Sequence, residues 1–404
     1  LPYADLFGRM LLGMGTASQD YVKLSQRIGR ATGGIGRAAQ VSTTRRGDAS
    51  TWLFLRGKAT VGQSQELLDI LADVLLTARL DDKERFRQIV LAEKAGMETS
   101  LIPSGHMVVF RRLRSRFVLS DWVAEQMGGV DYLFFLRGLL QRIEQDWPAV
   151  MADLEAVRRS LIRRQTTLCN VTLDAASYAG VQPRLAEFIA SIPAHPIEAA
   201  DWAPRLAARP EALVMPTQVN YVGKGANLYD LGYRLHGSAF VAVKFLDNTW
   251  LWDRVRVQGG AYGGMCLFDN LSGMLAYLSY RDPNLLATLQ VYDDAPGYLR
   301  RVALSQGDVD KIIIGVVGQM DRYELPDAKG FTSMARYLNG DSDEIRQRLR
   351  DEVLSTTVAD VRAFADLLDE VARQGLVVAL GSEQAVAAAN ASLELPLPVT
   401  RVMG

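Results

Sequence analysis

The chain has 404 residues, which at about 150 residues per domain predicts two or three domains. Hydrophobic residues at 49% and charged residues at 23% supply enough apolar surface for substantial cores and exclude a disordered chain. The 45 basic and 46 acidic residues leave a formal net charge of -1, which provides no field for a phosphate backbone and excludes nucleic acid as a partner. Cys169 and Cys266 are far apart and outside any CxxC spacing, so neither a disulfide framework nor a thiolate zinc site is indicated and a reducing compartment fits. No uninterrupted apolar run reaches the roughly 18 residues of a membrane span, so a soluble protein is expected. Leu1-Pro2-Tyr3 is no signal peptide, and a start without Met on a helical pattern leads us to expect further polypeptide upstream.

In chain order, Gln40–Thr44 and Ser50–Ala59 are rich in Val, Thr, Trp and Phe and flank the turn Arg45-Arg46-Gly47-Asp48, a hairpin. From Gln65 to Ala78, apolar residues at Leu67, Leu68, Leu71, Val74, Leu75 and Ala78 make the stripe of a helix with one buried face. Helices are predicted over Asp82–Ser100, Arg111–Met127, Tyr132–Gln145 and Trp147–Arg164, then a strand over Thr166–Leu173 and a helix near Pro183–Ile192. The segment 193–211 holds Pro193, Pro196, Pro204 and Pro210 and is taken as a linker. Beyond it, strands are predicted at Ala212–Val222 and Ser238–Phe245 and a helix at Thr249–Val257. Gly263–Phe268 and Met274–Tyr280 flank Asp269-Asn270-Leu271-Ser272-Gly273, a second hairpin. Asp282-Pro283 reads as an N-cap with Pro in the first turn, and Thr357 to Asp360 as a capping box opening a helix to about Arg373, followed by strand Leu376–Leu380. Hairpins with helices between them argue an α+β class: a first domain over 1–192, the linker 193–211, and a second, similar domain over 212–404, each an antiparallel sheet packed with long helices.

The most unusual segment runs from Leu251 to Gly264, where a helix ends in Gly259-Gly260, Ala261-Tyr262 follow, and Gly263-Gly264 lead into a strand. Glycines remove side-chain bulk, so an extended peptide could approach this backbone. Arg256 offers a permanent cation and Tyr262 a neutral hydroxyl, two donors of the kind that stabilise the oxyanion of a tetrahedral intermediate. An Arg near a helix C-terminus with Gly just past it is also ordinary capping, and residue chemistry alone favours that reading. His106, His195 and His236 are the only histidines; no two lie within one helical turn and none has Glu at the offset of an inverted zinc motif, so no metal site belongs to this chain. His106, in a Ser-Gly-His turn, is expected to satisfy a backbone group; His195 to face solvent; His236 carries no role. Gly13-Met14-Gly15-Thr16 and Gly33-Gly34-Ile35-Gly36 lack the dinucleotide-binding pattern. Arg111, Arg112, Arg114 and Arg116 are expected to form a solvated helix face, and Leu133-Phe134-Phe135-Leu136 to be core or inter-domain packing.

The string Leu251 to Gly264, followed by Ser279-Tyr280-Arg281-Asp282-Pro283-Asn284-Leu285, resembles the C-terminal half of presequence-protease-type peptidases of the insulinase-like superfamily. Gly33-Gly34-Ile35, Ser104-Gly105-His106, Glu125 to Gly129, Leu338-Asn339-Gly340 and Arg346 to Arg350 agree in order, so the resemblance spans essentially the whole chain. It implies two bowl-like halves, built from four related α+β domains, that close around an unfolded peptide, with zinc held by H-x-x-E-H and a further acidic ligand in the N-terminal half. On this chain it implies Arg256 and Tyr262, six residues apart, as the groups reaching the substrate carbonyl, and Gly259, Gly260, Ala261 and Gly263 as substrate-binding backbone. The implied function is part of a zinc metalloendopeptidase, inactive without its zinc-bearing half and acting on unstructured peptides. The alternative is a stand-alone inactive subunit with a structural or peptide-binding role. Arg far outnumbers Lys, as in a GC-rich bacterial gene, which implies the cytoplasm or periplasm; an organellar copy would occupy the mitochondrial matrix or chloroplast stroma.

Overall fold

A computed structural model of the chain describes residues 1–196, 204 and 206–403; part of the expected linker, 197–203 and 205, lies outside the described residues. The first region opens with α1 (Tyr3–Gly13) and α2 (Tyr21–Ala31), the latter capped by Asp20, whose carboxylate accepts the Lys23 N–H at 2.8 Å. The hairpin β1 (Ile35–Thr43) and β2 (Ala49–Gly57) is antiparallel, in register from Ile35↔Gly57 to Thr43↔Ala49. It begins earlier than the Val/Thr-rich run, because Gly36 to Ala39 are carried by their partners rather than by their own propensity. Helices α3 (Ser64–Thr77), α4 (Lys83–Ser100), α5 (Gly105–Arg114), α6 (Leu119–Gly128), α7 (Val130–Gln145) and α8 (Trp147–Leu161) follow. Tyr132, Leu136, Leu139 and Ile143 of α7 recur at helical spacing and pack with Leu6, Phe7 and Met10 of α1, Phe86 of α4 and Val150 of α8 into an all-helical core.

Two expectations fail in this region and a third shifts its boundary. The helix expected over Arg111–Met127 is two helices, because the chain turns at Ser115 to Val118 and brings Glu125 of α6 back onto Arg112 of α5, with Nη1 to Oε1 at 3.0 Å. Residues Thr166–Leu173 form no strand: no neighbouring strand lies beside them, and most of the segment is exposed. The helix near Pro183 begins eight residues earlier, as α9 (Ala175–Ser191), with Asp174 accepting the Ser177 N–H.

The second region is a six-stranded mixed sheet in the order β5-β6-β4-β7-β3-β8, so the α+β class holds although the sheets of the two regions differ in size. The strand expected over Ala212–Val222 is two, β3 (Glu211–Val214) and β4 (Tyr221–Asn227), which do not pair with each other. The segment Ser238–Phe245 is not a strand but helix α10 (Ser238–Leu246): a short apolar run suits either state, and here all its apolar residues but Phe240, which is partly buried, are buried. It passes into a π-helical stretch, Asp247–Gln258, covering the expected helix. The hairpin β5 (Gly263–Phe268) and β6 (Met274–Tyr280) is as expected. Then come α11 (Leu286–Asp293), α12 (Ala295–Arg301), α13 (Gln306–Met320), α14 (Pro326–Asn339), α15 (Asp343–Leu354) and α16 (Val358–Gln374). The chain closes with β7 (Leu376–Gly381), α17 (Glu383–Asn390) and β8 (Val399–Arg401). The Thr357/Asp360 capping box is present at α16.

Both faces of this sheet are covered, which is why β6 is apolar at nearly every position. Leu275 and Tyr277 enter the core beneath α10, α13 and α16, whereas Ala276 and Leu278 face Val109 and Leu113 of α5. The sheet of the second region is therefore roofed by a helix of the first. Leu136 and Leu133, on adjacent turns of α7, divide between the core of the first region and the layer between α5 and the sheet, as packing residues should.

The arginine run is no solvated face. Arg112 is buried, with Nε and Nη2 on Glu211 at 2.7 and 3.1 Å and Nη1 on Glu125 and Asp131. Arg116 reaches Glu211 at 2.6 Å, Arg114 pairs with Asp121 and Asp269, and Arg111 donates to the Gly128 carbonyl. A helix lying on a sheet buries cations only where carboxylates come with them, and these come from α6, α7, β3 and the β5–β6 turn. Likewise Arg45, in the first hairpin turn, binds Asp341 and the Asn270 carbonyl, and Ser42 donates to Asn339 at 2.7 Å, so the Leu338-Asn339-Gly340 string receives that turn.

Candidate functional site

The helical arm that carries Arg256 is wound in π fashion from Asp247 to Gln258, a geometry rare in proteins and frequent at functional sites. Gln258 donates to Asp253 at 2.8 Å, a pairing of residues five apart that suits this winding. Leu251 and Val255 anchor the arm in the core, and Trp250 donates to the Val291 carbonyl at 2.8 Å while stacking on Tyr298. The opposite side is open. Trp252 is 51% exposed, and the Arg256 guanidinium lies 4.1 Å above its ring centroid, which holds the cation out along the surface without consuming its donors.

The arm ends where Gly260 takes a φ of +78°, the left-handed turn that sends the chain into β5. Gly260 and Ala261 donate back to the Arg256 and Val255 carbonyls at 3.0 and 3.1 Å. Of the backbone implied as substrate-binding, Gly260 and Gly263 have no neighbour closer than 3.6 Å to where a Cβ would stand, so both present open main chain. Gly259 is packed against its own helix and Ala261 is buried, so neither offers a side-chain face. Tyr262 then projects from the start of the edge strand, 68% exposed, with its N–H on the Tyr280 carbonyl at 2.9 Å. Arg256 and Tyr262 therefore leave the two sides of one short glycine turn. Neither the guanidinium nor the phenol hydroxyl has a hydrogen-bond or ion-pair partner among the described residues.

The segment Ser279 to Leu285 is the frame of that turn. Asp282 is fully buried, accepts the Asn284 N–H at 2.9 Å and the Thr288 hydroxyl at 2.7 Å, and exchanges backbone bonds with Asn220. Burial pushes its carboxyl above the usual range against those hydrogen bonds. It is thus an anchor rather than the expected N-cap, since α11 starts only at Leu286. Asn284 donates to the Gly259 carbonyl at 2.7 Å, tying this segment to the glycine turn. Residue chemistry assigns Asn284 no task; its only signal is membership of a string that stands beside the turn in space.

His106 does not satisfy a backbone group. Its Nδ1 is buried without a partner, its ring meets Tyr280 edge-on at 4.7 Å, and burial lowers its pKa. His236 Nδ1 lies 2.8 Å from the Ser238 hydroxyl. Among the described residues no group of three His, Cys, Asp or Glu lies close enough together to hold a metal ion. Among the described residues no helix is long and apolar enough to cross a membrane.

A family model described as the PreP C-terminal domain matches residues 210–383, and one described as associated with peptidase family M16, subfamily C, matches residues 1–139. Presequence protease 1, chloroplastic/mitochondrial, of Arabidopsis thaliana is 44% identical over 392 residues, which is 96% of this chain and 36% of that protein. Protein HypA of Clostridium perfringens is 27% identical, over 96% of this chain and 40% of its own length. The mitochondrial presequence protease of Danio rerio is 23% identical, over 88% of this chain and 37% of its own. The chain thus spans between 36% and 40% of the length of these relatives. Among solved structures, a peptidase M16 inactive domain from Pseudomonas fluorescens superposes with a TM-score of 0.62 at 16% identity, covering 93% of this chain and 87% of that one. The periplasmic protease PqqL from Escherichia coli gives 0.54 at 12% identity, covering 98% of this chain and 44% of that one. At such identities the two structures show a shared fold.

Proposed function

Because the chain belongs to the presequence-protease family of M16-type peptidases, we propose that it is the zinc-free half of a metalloendopeptidase that degrades short unstructured peptides in a closed chamber. The reading is carried by the exposed pair Arg256 and Tyr262, held on either side of an open glycine turn with their donors unused. The metal and the general base belong to the other half; this chain's task is to bind and to place donors. An extended peptide lies against the main chain of Gly260 and Gly263, and the guanidinium and phenol point at the carbonyl oxygen where negative charge develops. A donor aimed at that oxygen accelerates turnover only if it is fixed in place, and the Asn284 and Tyr280 backbone ties supply this. Closure of the two halves would bring the pair to the reacting bond, and chamber size would admit unfolded peptides and exclude folded domains. Two free cysteines suit the bacterial cytoplasm, the mitochondrial matrix or the chloroplast stroma.

The test is reconstitution. This chain is mixed with the zinc-bearing half and peptide cleavage is followed for the wild type, Arg256→Ala and Tyr262→Phe. Loss of one donor is expected to lower kcat on the order of 10²–10³ with the melting temperature unchanged. Cleavage untouched by both substitutions removes the site. The second reading, a non-catalytic peptidase-like subunit, has in its favour the likeness to a solved M16 inactive domain. It expects peptide binding without any contribution of this chain to turnover.

A further inference from the structure

Arg281 follows the residue that pairs with Tyr262, and it is the only non-glycine among the described residues with a positive φ, +49°. Left-handed backbone is unfavourable for a side chain with a Cβ, and such outliers cluster where a side chain must be aimed. The side chain is only partly exposed and its Nε is buried with no hydrogen-bond partner. Four other arginines have a buried Nε without a hydrogen bond: Arg9, Arg116, Arg158 and Arg163. Each of those has an ion pair or a carbonyl through its guanidinium, whereas Arg281 has neither among the described residues. Its surroundings are aromatic instead. The guanidinium carbon lies 5.6 Å from the Tyr280 ring centroid and 5.9 Å from that of Tyr262. Tyr280 is itself held by His106, at 4.7 Å, and by Tyr221, at 6.0 Å. Ring faces steady a cation but accept none of its five N–H donors. The Tyr221 phenol donates to the Ile102 carbonyl and its oxygen lies within hydrogen-bonding reach of Arg281, whose charge and N–H oppose the burial that raises its pKa; a neutral phenol leaves the guanidinium charge unbalanced and Nε without a partner. Asp282, next in sequence, is fully buried and spends its carboxylate on Asn284 and Thr288.

We infer that Arg281 is an anion subsite beside Tyr262 that takes a carboxylate of the bound peptide, either an acidic side chain or the free C-terminus. This rests on the peptide-binding reading above and adds a preference to it. A carboxylate arriving there accepts Nε, which is otherwise desolvated and unmatched, and supplies the opposite charge that Tyr221 cannot, and the guanidinium fork suits it in two parallel bonds. The aromatic frame fixes the fork before the peptide comes, so little order is lost on binding.

The experiment uses this chain with the zinc-bearing half, stripped of zinc by a chelator so that peptide is held and not cut. Three fluorescent peptides of one otherwise neutral sequence are titrated by anisotropy: one with an acidic side chain and an amidated C-terminus, one neutral with a free C-terminus, one neutral and amidated. One of the two carboxylate peptides is expected to bind about tenfold tighter than the fully neutral one, and which of them does so names the source. In Arg281→Gln and Arg281→Gly the three bind alike, and Arg281→Lys restores part of the difference. Glycine adopts the backbone conformation without strain, so Arg281→Gly should hold or raise the melting temperature while abolishing the discrimination, a combination a packing role cannot produce. Equal affinities in the wild type, no binding of any peptide, or a preference that survives in Arg281→Gln overturns the inference. Turnover in the zinc-loaded mixture, with its dependence on Arg256 and Tyr262, is read separately and decides the parent proposal.

Discussion

Glu211 stands where the first-region helices meet the second-region sheet, and replacing it with Gln should cost a pH-dependent amount. Its carboxylate accepts Arg112 Nε at 2.7 Å and Nη2 at 3.1 Å, Arg116 at 2.6 Å and the Thr400 hydroxyl at 2.6 Å. Burial acts to raise its pKa, but the Arg112 hydrogen bonds and charge, with Thr400 and Arg116, outweigh it and hold the group at about 2 against an ordinary 4.5. A carboxyl with a depressed folded pKa contributes stability that is complete above its unfolded value and fades as pH falls through the folded one. The gap corresponds to roughly 3 kcal/mol at pH 7, about half of that at pH 3, and almost nothing at pH 2. Glu211→Gln should therefore lose about 3 kcal/mol at pH 7 and about half as much at pH 3. Urea unfolding at both pH values, followed by far-UV circular dichroism and tryptophan fluorescence together, measures this, the two probes testing whether the transitions coincide as a two-state treatment requires. An equal cost at both pH values, or a cost below about 1 kcal/mol at pH 7, would refute the reasoning.

Glu125, on the other side of Arg112, carries the opposite sign. Burial pushes its carboxyl up against the pull of Arg112, so its contribution is present at low pH and shrinks as pH rises; Glu125→Gln should cost less than Glu211→Gln at pH 7 in the same titration. Arg112→Ala leaves buried carboxylates facing one another and should lose on the order of 3 kcal/mol in urea unfolding, recovered in part by adding Glu211→Gln. Gly264→Ala places a Cβ 2.8 Å from Val255 and should cost about 1–3 kcal/mol in thermal unfolding, whereas Gly263→Ala meets nothing closer than 3.9 Å and should leave stability intact while weakening peptide binding. Cys169 is exposed and Cys266 buried, so a thiol reagent should titrate one group in the native protein and two after denaturation.

Local chemistry carried much of this protein into view before any coordinates. The stripe of α3, the capping box of α16, both hairpins and the glycine turn between Arg256 and Tyr262 all depend on residues near one another in the chain, and each formed where its residues stood. The failures share one cause, dependence on distant partners. Thr166–Leu173 has strand composition, but pairing needs a neighbour that the fold does not bring. Ser238–Phe245 is helical with most of its apolar residues buried against the sheet and its neighbouring helices, where a short apolar run no longer reports its period. The arginines of α5 look like a wet face until Glu125, Asp131 and Glu211, up to 99 residues away, arrive to neutralise them. Arg281 is the same case inverted: it stands in a distinctive string but residue chemistry assigns it no task, and its meaning comes from the lack of a carboxylate partner among the described residues.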